Sequence, residues 1–112
     1  MPTILQIDFT HHGPFGRELS EFAAPAADDI AAEPGLRWKI WTENAETGEA
    51  GGLYLFDDEA LAKAFREKQT GRLEAQGMTN VRAKIFAVNE ALTATTRGPV
   101  SASATKKATA AE

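Results

Sequence analysis

The 112 residues contain no cysteine, which removes thiol nucleophiles, disulfides and thiolate metal sites together. The residues left to do chemistry are few: adjacent His11 and His12, the single Tyr54, Trp38 and Trp41 in "WKIW", and scattered carboxylates. Histidine titrates unperturbed near neutrality, so His11 or His12 could take a proton from a ligand. Neighbouring side chains diverge, so at most one of the two faces a given pocket, and an exposed loop is the plainer home for both. Tyr54 could donate a hydrogen bond to an oxyanion or act as an acid, or simply pack with its hydroxyl bonded to a polar neighbour. An indole can stack on a flat aromatic ligand, and as core filling its N–H still needs a partner. Glu43 could be a base, or a charged rung opposite Lys or Arg.

Metal binding needs three or four converging ligands, and two adjacent histidines without a third are no such set. The hairpin "ENAETGE" lacks EF-hand spacing, and "HHGPFG" fits neither nucleotide fingerprint. No metal and no cofactor is therefore expected. With 16 acids against 12 Lys and Arg, the net charge of -4 disfavours nucleic acid as a partner. The start "MPTILQIDFT" has no basic segment followed by a long apolar one, and no window approaches a membrane span. The cytoplasm is the expected compartment.

These residues must be positioned by one small domain, since the length leaves no room for a second core. "TILQIDF" alternates as a half-buried strand. Phe15, Leu19, Phe22 and Ile30 form a helical stripe to about Ala32, in which Pro25 should cause a kink or a new start. "LRWKIWTE" and "LYLF" read as a hairpin joined by "NAETGEAGG". Asp57 or Asp58 can cap the helix "DDEALAKAFREKQ", with Gly71 as a break and Gly77 as an end. "NVRAKIFAV" closes the set as a strand. The order βαββαβ is that of a ferredoxin-like α+β fold, an antiparallel sheet with both helices on one face. The domain covers residues 1–96, and the low-complexity stretch "RGPVSASATKKATAAE" (97–112) reads as a mobile tail or an arm ordered only by a partner.

Alternation sorts each strand into two faces. Leu5, Ile7, Phe9, Leu36, Trp38, Ile40, Leu53, Leu55, Val81, Ala83 and Ile85 are expected beneath the helices. Lys39, Trp41, Glu43, Tyr54, Phe56 and Phe86 fall on the opposite face among interspersed charges. Four rings on one face need a cover. A second copy is the simplest one, which predicts a homodimeric α+β barrel with Trp41, Glu43, Phe56, Lys39 and Phe86 in its interface. An RNA-recognition motif shares the strand order, but its stacking signature would fall on "EAGGLYLF", where only Gly52 and Phe56 fit.

"GPFG", "EPGLRWKIWTE", "EAGGLYLF" and "VNEAL", in this order and spacing, resemble the YdhR-type mono-oxygenase family from about Ile4 to Leu92. The resemblance implies a dimeric α+β barrel related to cofactor-independent antibiotic-biosynthesis mono-oxygenases. In such relatives an electron-rich phenol or anthrone loses a proton and its anion reacts directly with molecular oxygen, without metal or flavin. The expectation is a small aromatic substrate held between sheet and helices by Trp38, Phe15, Phe22 and Phe65, with His11, His12 or Tyr54 handling protons. A non-catalytic dimeric barrel that binds a small hydrophobic ligand or serves in a stress response is the alternative, and an isomerase or lactonase-like use of the barrel a third.

Overall fold

The computed structural model describes residues 1–101. Chain order is β1 (Thr3–Thr10), α1 (Gly16–Ala31), β2 (Leu36–Asn44), β3 (Glu49–Phe56), α2 (Glu59–Ala75), β4 (Thr79–Ala87) and a short α3 (Glu90–Thr95). The strands form one antiparallel sheet in the order β2-β3-β1-β4. Side chains of α1 and α2 pack on one of its faces, giving the expected ferredoxin-like α+β arrangement.

Both long helices run through residues expected to interrupt them. Pro25 lies inside α1. Its missing donor leaves the Glu21 carbonyl unpaired within the helix, and Glu21 and Pro25 are both exposed, so water can take that carbonyl. Gly71 sits inside α2, where glycine costs about 1 kcal/mol relative to alanine but does not break the helix. Asp58, not Asp57, is the cap, accepting from the Leu61 N–H at 2.9 Å.

β1 and β4 divide as their alternation requires. Leu5 and Ile7 are buried beneath the helices, with Phe9, Val81, Ala83 and Ile85 packed beside them. β3 and β2 do not. Every position of "LYLF" is apolar, so alternation leaves its facing undetermined. The register pairs Leu5 with Tyr54 and Thr3 with Phe56, and cross-strand partners share a face. Tyr54 and Phe56 therefore lie under the helices, and Leu53 and Leu55 on the outer face.

In β2, Leu36 opposes Phe56 but Trp38 opposes Leu55, so Arg37 is one extra residue, a bulge. Such a slip turns over every side chain beyond it. Trp38 and Ile40 consequently face outwards, while Lys39, Trp41 and Glu43 face the helices. The expected interface set is corrected accordingly. Of Trp41, Glu43, Phe56, Lys39 and Phe86, only Phe86 is on the outer face, where it is 47% exposed. Trp38, expected beneath the helices, donates its indole N–H to the Pro99 carbonyl at 3.0 Å. Arg37 anchors the bulge by donating to Asp57 and to the Val100 carbonyl, each at 2.7 Å. These bonds hold the start of the stretch read as a tail; residues 102–112 lie outside the described residues.

Gly51 and Gly52 mark close backbone approach rather than a bulge, because β3 pairs with β1 without a shift there. A Cβ on Gly51 would overlap the Ile7 carbonyl oxygen, and one on Gly52 would overlap Cε of Lys39.

Candidate functional site: a cavity between α1 and the sheet

α1 has no side-chain cap of its own, since its N-cap position is Phe15. Glu43 supplies one from β2. Its Oε1 accepts from the Gly16 N–H at 2.7 Å, and a carboxylate there also suits the helix dipole. Glu43 is thus committed within its own chain. Towards the other end Ile30 is the one buried residue of α1. Between these two ties α1 stands off from the sheet and from α2.

The gap is a cavity of about 570 Å³. Leu19, Phe22 and Pro25 of α1 form one side, Arg72 and Leu73 of α2 the other. Its floor is made by Phe9, Lys39, Trp41, Gly51 and Tyr54. A volume of this size suits a small aromatic molecule, and the mix of apolar walls with few polar groups is that of a ligand site. A smaller groove of about 210 Å³ at the hairpin end, lined by Asp8, Glu43 and Glu49 among others, has no aromatic wall.

Lys39 is the charged group of the floor. Its Nζ lies 3.2 Å from the centroid of the Trp41 ring and 4.6 Å from that of Tyr54. Among the described residues no carboxylate is within ion-pair distance of it. Burial disfavours the ammonium and lowers its pKa to about 7, although two ring faces offset part of that loss. The same burial pushes the Tyr54 phenol above its ordinary value, so its hydroxyl stays protonated and serves as a donor rather than a base.

His11 is buried, 7% exposed, at the end of β1. Its Nε2 lies 2.7 Å from the Pro14 carbonyl oxygen. A carbonyl can only accept, so Nε2 carries the proton and Nδ1 is left as the basic nitrogen. Phe9 and Phe15 meet the imidazole edge-on, at centroid distances of 6.1 and 5.1 Å.

The structure therefore gathers His11, Tyr54 and Phe22 at the cavity. Phe15 backs His11 instead of lining the space, and His12 is exposed. Phe65 is core, 1% exposed, its ring 5.0 Å from Tyr54 and 5.5 Å from Phe56. Trp38 is on the outer face. Lys39, Trp41 and Tyr54 are the cavity residues that sequence reasoning placed on the wrong side, and of these Lys39 and Trp41 were not among the expected pocket residues. No group of three or more His, Asp or Glu residues suited to a metal ion occurs among the described residues.

The chain is a ferredoxin-like domain with an aromatic-floored cavity between helix and sheet. Residues 4–99 match the family model described as "Putative mono-oxygenase ydhR", and the chain belongs to that family. Mono-oxygenation is the class of activity the family carries. No curated protein matches the chain.

Proposed function

We propose that this protein is a cofactor-independent mono-oxygenase for a small electron-rich aromatic molecule, phenol- or anthrone-like, bound between α1 and the sheet. The carrying observation is the cavity of about 570 Å³ with the Trp41 ring, the Tyr54 ring and His11 on its wall, in a member of this family. Trp41 takes the part of the stacking surface, with Phe22 closing the α1 side. Tyr54 donates a hydrogen bond to a substrate oxygen, and His11 Nδ1 is a candidate base. For an anthrone-like substrate the balance is a CH₂ group plus O₂ giving C=O plus water. The carbon yields four electrons and the oxygen molecule accepts four, so no external reductant is required.

The assembly proposed with this reading is a homodimer through the outer face, where Ile40 on one edge strand is 50% exposed and Phe86 on the other edge strand 47% exposed. Charged Asp8, Arg82 and Lys84 share that face by register, which suits a mixed apolar and polar interface. The cytoplasm is the proposed compartment; no helix among the described residues is long and apolar enough to cross a membrane.

Oxygen uptake with a panel of hydroquinones and anthrones tests the chemistry. The expected result is turnover by wild type that falls at least tenfold in Trp41→Ala and is retained in Trp38→Ala. Uptake no greater than the protein-free rate across the panel would remove the oxygenase reading and leave a ligand-binding barrel. Light scattering at micromolar concentration tests the dimer, and a single-chain mass there excludes it.

A further inference from the structure

We propose that Lys39 receives the ionised oxygen of the substrate, so that the cavity selects aromatic acids of the phenol class and binds them as their anions. This deepens the reading above and rests on it in taking the cavity as the substrate site.

The lysines and arginines that form ion pairs among the described residues do so at or near the surface: Arg37 with Asp57, Lys63 with Glu59, Arg66 with Glu67, Lys68 with Glu33 and Arg82 with Glu49. Lys39 has no such partner, yet it is the one drawn into the cavity floor. Two features hold it there. The Arg37 bulge turns it towards the helices, and Gly52 leaves open the space that its Cε crosses, where a Cβ would collide. The stem then lies across the sheet and the ammonium rests against Trp41. Ring faces recognise a cation but cannot neutralise it. An anionic oxygen from a ligand that lies beside these rings and meets the ammonium from the cavity side completes the set.

The groups facing Lys39 agree with this assignment. From β3, Tyr54 keeps its proton and can donate to the same ligand oxygen. His11, after β1, has its Nε2 committed to Pro14. Asp29 of α1 and Arg72 of α2 line the cavity from exposed positions. Because burial brings Lys39 to about 7, the free protein holds much of it as the neutral amine near neutrality. A phenol entering then gives its O–H proton to Nζ, and the resulting ammonium and phenolate pair. The O–H bond breaks, an N–H bond forms, and the ligand becomes the electron-rich anion that oxygen attacks.

The test uses 4-nitrophenol, whose phenolate is read by its absorbance and whose ring is too electron-poor to be oxidised. Nitrobenzene serves as the neutral ligand of the same shape. Wild type is expected to bind the phenolate at least tenfold more tightly than Lys39→Met does, with nitrobenzene affinity equal in both and Lys39→Arg recovering part of the preference. For 1-naphthalenesulfonate, anionic throughout, wild-type affinity is expected to fall towards tenfold per pH unit above about 7 as Lys39 loses its proton. Equal phenolate affinity in wild type and Lys39→Met, with nitrobenzene bound by both, overturns the role of Lys39 and leaves the oxygenase reading standing. Failure of wild type to bind any of these ligands overturns both. A phenolate preference without oxygen uptake on the hydroquinone panel keeps the Lys39 assignment and removes the oxygenation.

Discussion

α1 and α2 cover the same face of one sheet, but they do so differently. α2 buries Ala62, Phe65 and Leu73 and interlocks its Phe65 ring with Tyr54 and Phe56. α1 buries only Ile30, leaves Phe22 73% exposed and is tied at its start by one carboxylate from β2. One half of the helical layer thus supplies the core and the other half a vacancy beside it. Close packing and an open cavity cannot occupy the same interface, and the chain divides them between two helices.

Emptying the α2 side should give the largest effect. Phe65→Ala removes a fully buried ring from a cluster that can relax only in part, and costs about 3–5 kcal/mol. Denaturant unfolding measures it; a loss under about 1 kcal/mol would mean that α2 is not the clamp described. The next effect belongs to the cavity floor and depends on pH. Folding lowers the pKa of Lys39 from 10.5 to about 7, so below pH 7 both states are charged and the burial penalty is full. Between about 7 and 10.5 the unfolded chain holds more protons, and stability rises with pH. Lys39→Met should therefore be more stable than wild type at pH 6.5, by roughly 1–3 kcal/mol once partial hydration discounts the shift. That advantage should shrink towards pH 10, as thermal melts across the range will read; an advantage independent of pH contradicts the assignment.

The same contrast decides what could be read in the sequence. The element order, the split βαβ topology and the facing of β1 and β4 followed from alternation of apolar with polar residues. β3 could not be read that way, because Leu53, Tyr54, Leu55 and Phe56 are all apolar and either pair can be buried. β2 failed for another reason: an inserted residue at Arg37 reverses the strand, and nothing in "LRWKIW" marks an arginine as a bulge when its partners are Asp57 and Val100, far along the chain. The exchange of Trp38 for Trp41 at the cavity follows from that single residue. His11, Tyr54 and Phe22 were legible as candidates because rarity and helical spacing single them out. Lys39 was legible only as a charge until the sheet placed it between two rings.

The tie at the start of α1 is a further place to separate the two helices. Glu43→Ala removes the only side-chain acceptor at the N-terminus of α1 among the described residues, and losing such a cap costs about 1 kcal/mol. Because α1 adds little to the core, the larger consequence should be for the ligand. 4-Nitrophenol affinity is expected to drop more than the stability loss alone explains, while Glu43→Gln, which still accepts a hydrogen bond, recovers most of it. Hydrogen exchange confined to α1 would locate the loosening. Exchange rising equally in α2 would show that the two helices form one cooperative unit.

The smallest stability effect should come from Phe22, and it discriminates most sharply. A ring 73% exposed has little apolar area to lose, so Phe22→Ser is expected to change stability by no more than about 0.5 kcal/mol. The same ring lines the α1 side of the cavity, opposite the floor that carries Trp41. A flat ligand lying on that floor covers Phe22, and burying such a side chain is worth about 1.5–3 kcal/mol when complete. Nitrobenzene affinity should therefore fall severalfold in Phe22→Ser with the unfolding midpoint almost unmoved, the reverse of what Phe65→Ala does to the fold. If Phe22→Ser instead unfolds the chain and spares the ligand, α1 is a packing helix like α2 and the division of labour between them is wrong.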